Sequence, residues 1–205
     1  MTPKTFDVPS ADLRSHEILA SIRQAFAARG FDGASMQDLA RAAGMSVGNF
    51  YRYFPSKSAI IEAMVGMDLA EIERDFSEIG TSTDPIAALR TKILERITDN
   101  SREDGQLWAE ITAAAIRKPE IAEASKKMEA AVVANLAAVF AKATGRPVVD
   151  AMARYAGHCE LLMLLIKATA MRACQFGPAS ADLARLVVRM IDQTLTEISK
   201  DKAKG

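Results

Sequence analysis

Cysteine is nearly missing from this chain of 205 residues, which has only Cys159 and Cys174. Two are too few for the disulfide framework of a small secreted domain, so both are expected as reduced core thiols. Histidine is equally scarce, with His16 and His158 alone, and neither H-x-x-x-H nor C-x-x-C occurs. No metal site and no cofactor is therefore expected. Glycine at 11 and proline at 7 exclude collagen-like and low-complexity classes. Neither sign of charge is in excess: 26 basic and 26 acidic side chains give a formal net charge of +0. That removes a wholesale polyanion binder and leaves room for a local basic surface. Long apolar runs are also missing. The longest charge-free stretch, Ala130 to Ala141, is 12 residues, against the ~20 that a membrane span requires. Met1 to Pro9 carries Pro3, Asp7 and Pro9 where a secretory leader has an apolar run. The expectation is a soluble, cytoplasmic chain with no membrane partner.

What the chain has in abundance is alanine, 37 of 205 residues, the residue that costs a helix least. The length allows one large domain or two small ones at ~150 residues each. It suffices to bury about 70% of the unfolded surface. No β-alternation and no internal repeat is present, and the chain reads as all-α with about nine helices.

Local signals place those helices. Ser10 caps the first, which carries Ile18, Ile22, Ala25 and Phe26 on one face and ends at Gly30. Ser35 and Asp38 form a relative of the capping box and open a short helix through Ala42. Gly44 permits a sharp turn, and Ser46 caps a third helix with Phe50 and Phe54 facing inward at i, i+4. A longer helix runs from Ser56 to about Glu78. Breaks at Gly80 to Asp84, Asp104-Gly105, Pro119, Gly145-Arg146-Pro147 and Gly177-Pro178 delimit five more. These are placed at roughly 85–100, 106–117, 120–143, 148–174 and 179–198. The tails, 1–9 and 199–205, show nothing periodic to bury and are expected to be disordered.

Three short helices in the first ~55 residues, the last two joined by a tight Gly turn, have the form of a helix-turn-helix, which sets its second helix for a major groove. Three segments carry a specific resemblance: Phe26-Ala27-Ala28-Arg29-Gly30-Phe31, Ser35 to Ala40, and Ala43 to Lys57. With them the chain resembles the tetracycline-repressor (TetR) family of bacterial transcription regulators over about Leu13 to Ala63. The resemblance implies a DNA-binding domain at 10–57 and a helical effector-binding and dimerisation domain at 58–200, with 56–78 as the connecting helix. It implies a ligand-responsive regulator, a repressor by family habit, that binds a palindromic double-stranded operator as a homodimer. A small hydrophobic effector would release it. The alternative is a helix-turn-helix protein without a small-molecule inducer, constitutive or governed by a protein partner.

By resemblance, the DNA-contacting positions are Ser35, Gln37, Ser46, Val47, Gly48, Asn49, Tyr51, Arg52, Tyr53 and Lys57. Gln37, Tyr51 and Lys57 would hold phosphates, and Tyr53 backbone or a base edge. Val47, Gly48 and Asn49 would face bases, Asn to adenine and Val to a thymine methyl. Arg52 suits guanine or a phosphate equally. Ser35 reads as a cap as much as a contact, Tyr51 could instead edge the core, and Asn49 could merely cap. From Leu13 to Lys57 six basic and three acidic residues leave a net of about +3, modest for a DNA binder.

Effector-pocket candidates by residue type are Met64, Met67, Ile93, Ile97, Trp108, Ile111, Ala115, Met128, Val132, Leu136 and Leu162, with Glu110 and His158 as polar anchors. Apolar residues at helical spacing fit plain core as well. For a dimer interface, Leu183, Leu186, Val187, Met190, Ile191, Thr194, Leu195 and Ile198 repeat at i, i+3, i+4, i+7. Ala153, Ala156 and Gly157, beside Leu161, Leu162, Leu164 and Leu165, offer close approach on the preceding helix. Paired hairpins would form a four-helix bundle; the alternative is burial of both faces within one chain. An enzyme is not expected. His158-Cys159-Glu160 are adjacent on a helix and point in different directions, and His16 lies in the head.

Overall fold

The computed structural model describes residues 11–98 and 102–201. The Ser10 cap, the tail 1–9, residues 202–205 of the other tail and the expected end of the fifth helix at Asn100 lie outside them, as does the side chain of His16; Ser199 and Lys200, expected in that tail, instead complete α9. Among the described residues are nine α-helices and no strand. They are α1 (Ala11–Gly33), α2 (Met36–Ala42), α3 (Val47–Tyr53), α4 (Lys57–Thr81), α5 (Pro85–Thr98), α6 (Arg102–Arg117), α7 (Pro119–Thr144), α8 (Val148–Phe176) and α9 (Ala181–Lys200).

Caps account for most of the starts. Ser35, Ser46, Ser56 and Ser180 each accept a backbone N–H three residues on, satisfying one of the four donors a helix start leaves open. Asp84 does the same for Ala87 at 3.0 Å, and Pro85 follows at the position where its missing N–H is harmless.

Two expected breaks are corrected. α4 continues through Gly80 to Thr81, because Lys142 of α7 donates to the carbonyls of Gly80 and Ser82 at 2.6 and 3.0 Å. Gly105 lies inside α6 and does not precede it. A Cβ there would overlap Cys174 Sγ and meet the Ala170 carbonyl of α8 at 3.0 Å. The glycine is an approach point between two helices.

The core forms two clusters. The first joins Ile22, Phe26, Leu39, Phe50 and Phe54 of the N-terminal helices to Ile60, Ile61 and Met64 of α4. It runs on without a gap to Leu107 and Ile111 of α6 and Met128 of α7. The second gathers Leu89 and Ile93 of α5, Leu136 and Phe140 of α7, Tyr155 and Leu162 of α8, and Ile191, Leu195 and Ile198 of α9. Apolar packing thus crosses residue 57, and the small N-terminal head is seated on α4 and α6.

Candidate nucleic-acid interface

The turn between α2 and α3 rests on Gly44, whose φ of +65° is a left-handed value that a Cβ resists. The Gly44 N–H donates to the Arg41 carbonyl at 3.0 Å and the Met45 N–H to that of Ala40 at 2.9 Å. This closes α2 and aims α3 away from it. Phe50 and Phe54 are 0% and 4% exposed, their rings 5.6 Å apart, and they fix the inner side of α3.

The outer side is presented whole. Val47, Tyr51 and Tyr53 are 37%, 46% and 37% exposed. Ser46, Gly48, Asn49 and Arg52 are exposed beside them. Tyr51 therefore does not edge the core. Ser46 Oγ accepts the Asn49 backbone N–H at 3.3 Å, so Ser46 is the cap and the Asn49 amide is left on the open face. Arg52 and Asn49 supply the donors and acceptors a groove edge requires, and Val47 an apolar patch.

At α2 the capping box is complete. Ser35 Oγ accepts the Asp38 N–H at 3.1 Å, and Asp38 Oδ2 accepts the Ser35 N–H at 3.2 Å and its hydroxyl at 2.5 Å. Those bonds, with Arg29 Nη1 at 2.8 Å from Oδ1, hold the Asp38 carboxyl at about 2, below its ordinary 3.8. The Ser35 hydroxyl is thus engaged as a cap. Gln37 beside it is exposed.

Lys57 departs from the expected surface role. It is half-buried; its Nζ donates to the Phe31 carbonyl at 2.7 Å and lies 4.9 Å from the centre of the Phe31 ring. A carbonyl bond and a cation–π contact together hold the ammonium inside the head, where a phosphate would have to compete for it.

Residues 18–64 match the family model of bacterial regulatory proteins, tetR family. A regulator named EthR from Mycolicibacterium smegmatis is 34% identical over 87 residues, 42% of this chain and 40% of that protein. UidR of Escherichia coli is 32% identical over 110 residues, 51% of this chain and 53% of its own length. Among solved structures, Salmonella enterica GusR superposes with a TM-score of 0.73 and 25% identity, over 93% of this chain and all of that one. Residues 18–64 of the chain belong to the tetR family. The chain's alignments with these two curated relatives span about half of their length. A TetR regulator from Haloarcula marismortui shares the fold alone, at 19% identity and a TM-score of 0.69 over 92% and 97% of the two chains.

Beyond the head, the pocket candidates do not fall in one cluster. Met64, Ile111 and Met128 are buried in the first cluster, with Met67, Trp108 and Ala115 packed on it. Ile93, Val132, Leu136 and Leu162 are buried in the second, with Ile97 against it. Two surface concavities, about 270 and 400 Å³, are lined by other residues. The first, between α4 and α7, has Phe76, Val139 and Lys142 in its wall. Neither polar anchor lines either concavity. His158 sits edge-on to Tyr155, 3.6 Å from Glu197 of α9. Glu110 is spent on the head, where its Oε2 accepts the Phe31 N–H at 3.0 Å. Both were within reach of partners far away in sequence, which residue type alone does not reveal.

The dimer candidates also divide. Leu162, Ile191, Thr194, Leu195 and Ile198 are 0 to 4% exposed within this chain's own core, which leaves them no part in an interface. Arg90 of α5 accompanies this packing: Nε and Nη2 donate to both oxygens of Asp192 at 2.5 and 3.0 Å. Leu183 and Val187 are half-buried. Leu186 and Met190, 53% and 42% exposed, form the free edge of the stripe. On α8, Ala153, Ala156 and Gly157 are exposed, and Val149 and Leu164 are 77% and 63% exposed; Leu161 and Leu165 are half-buried behind them.

Sequence reasoning missed the lock at the start of α8. Arg146, Arg154 and the Tyr155 hydroxyl converge on the Asp201 carboxylate, with Arg146 at 3.0 Å and Tyr155 at 3.1 Å. The partners are 46 to 55 residues apart, and no local pattern announces them. Burial pushes the Cys159 thiol up to about 11, which keeps it protonated and unreactive as a nucleophile. Among the described residues no single helix is long and apolar enough to cross a membrane, and no group of His, Cys, Asp and Glu is placed to hold a metal.

Proposed function

We propose that this chain regulates transcription in the cytoplasm as a homodimer on a palindromic operator, most simply as a repressor that blocks polymerase. The observation that carries the reading is the split character of α3: Phe50 and Phe54 are locked inside while Val47, Asn49, Tyr51, Arg52 and Tyr53 stand open. Val47, Gly48 and Asn49 read base edges, Tyr51 and Gln37 bond phosphates, and Arg52 takes guanine or phosphate. Lys57 serves the head from within, with a phosphate role only if it lets go of Phe31. One head has a net charge of about +3, so pairing is needed to double the charge facing a duplex. The exposed face made by Val149, Ala153, Gly157, Leu164, Leu186 and Met190 supplies the self-complementary surface.

Release by a small hydrophobic effector belongs to the same reading. A ligand lodged among the body helices must favour the DNA-incompetent state by differential affinity. One observation favours the alternative without an inducer, because the pocket candidates are packed as core. Trp108, the single tryptophan, separates the two: hydrophobic compounds that shift its emission also release DNA in the first case, and none does in the second.

The test of the main reading is selection of duplexes from a genomic pool by purified protein at ~150 mM salt. A recovered site with twofold symmetry supports it. Recovery of no preferred sequence overturns it.

A further inference from the structure

At the seam between head and body, one residue is held from three elements. α1 is broken at Gly30, φ 71° and ψ 172°, so that Phe31 swings its backbone N–H out of the helix and toward α6. Glu110 Oε2 accepts that N–H at 3.0 Å, and a Cβ on Gly30 would come within 2.8 Å of the same oxygen. Lys57, the first residue of α4, takes the Phe31 carbonyl at 2.7 Å. Lys57 and Lys118 both place their ammonium groups 4.9 Å from the ring centre. Arg117 Nη2 reaches Asp32 Oδ2 at 3.2 Å, and the Ser58 hydroxyl donates to Glu120 Oε1 at 3.1 Å.

Of these contacts, that of Glu110 is the one made by the middle of a body helix. Its helix neighbours Leu107, Ile111 and Ala114 are buried, so the backbone that carries the carboxylate is anchored with α6. Gly105, five residues earlier on α6 and ~7.5 Å along its axis, is the point where α6 touches Ala170 and Cys174 of α8. α6 therefore meets α8 near one end and the break in α1 at its middle.

We propose that Glu110 is a positioning residue for DNA binding: by gripping the Phe31 N–H at the Gly30 break it sets the seat of the head, and it passes any movement of α6 to α3. The inference rests on the DNA-binding reading above. A ligand or partner that displaces α6 from α8 would act on the head through this bond together with the packing of α6 on α1. A carboxylate hydrogen bond to a backbone N–H is among the stronger single contacts available. Its loss leaves α1 attached by packing, by Lys57 and by the exposed Arg117–Asp32 pair, so the head stays folded and its orientation loosens.

The experiment uses the full chain with Glu110→Ala and Glu110→Gln. It measures binding to the selected duplex and to a scrambled one at ~150 mM salt, with hydrogen exchange at the Phe31 amide. Glu110→Ala is expected to weaken specific binding about tenfold and non-specific binding less than about twofold, since phosphate attraction tolerates misorientation. Glu110→Gln keeps an acceptor oxygen and is expected to restore most of the affinity. The Phe31 amide should exchange faster in the Ala variant only. Equal loss on both duplexes, no rescue by Gln, or an unchanged Phe31 amide overturns the role. A wild-type chain that selects no duplex fails the parent reading instead, and the exchange measurement still decides the clamp.

Discussion

Arg23 of α1 and Asp68 of α4 meet at 2.9 Å, with only 21% and 8% of their side chains exposed. The pair ties the first helix of the head to the middle of the helix that leads into the body. Because it is largely out of water, removing one member is expensive where a surface pair would be nearly silent. Asp68→Ala is expected to lower stability by about 2–3 kcal/mol, less than the full buried-pair figure because Arg23 is partly solvated. Urea denaturation measures it. A loss under ~0.5 kcal/mol would mean the pair is not a strut.

The corrected edge of α9 yields a paired test. Leu186 is exposed and Leu195 is buried, at 53% and 2%. Leu186→Glu should give a folded monomer by sedimentation, its melting temperature falling only as far as dimer loss requires. Leu195→Ala should cost about 2–5 kcal/mol through a cavity in the second cluster. Destabilisation by the first change with no shift in mass would place Leu186 inside the chain after all.

Acid exposes the lock on Asp201. Arg154, then Tyr155, then Arg146 hold its carboxyl at about 2 against an ordinary 3.8. A depressed carboxyl contributes stability that is present above the unfolded value and disappears as pH falls from ~4 toward ~2. Asp201→Asn should therefore be less stable than wild type at pH 6, with the gap closing across that window. Asp38 titrates over the same range, so the difference between the two proteins isolates Asp201. A gap unchanged down to pH 2.5 would show that the contacts are not ionic.

Asn49 and Tyr51 should part company on DNA. Asn49→Ala is expected to relax preference at one base position by ~1–3 kcal/mol. Tyr51→Phe should weaken every sequence alike by removing a phosphate bond. Competition binding against a panel of single-base variants checks both. A uniform loss for Asn49→Ala would remove it from base reading.

What the sequence revealed follows the range of each interaction. Ser35 with Asp38, Ser46 with Asn49 and the turn at Gly44 are contacts over three or four residues, and each was readable from residue type and spacing. The stripe on α9 was readable as a stripe. Which edge faces inward is set by packing of Ile191, Leu195 and Ile198 against α5, α7 and α8, partners distant in sequence, and could not be read. Gly105 looks like a helix breaker until Ala170 and Cys174 appear opposite it. Glu110 and Lys57 were legible as charged residues near the right elements, but Phe31, the group that claims both, carries no charge to advertise the site.

The central claim is that two copies of α3 read adjacent grooves of one duplex. Hydroxyl-radical footprinting of the selected duplex, with wild type and Tyr51→Ala in parallel, tests it most directly. The account predicts two protected patches on one face, related by a twofold axis and ~34–36 Å apart or a multiple of that. Both should fade together in the variant. A single patch, or protection that ignores the change at Tyr51, would contradict it.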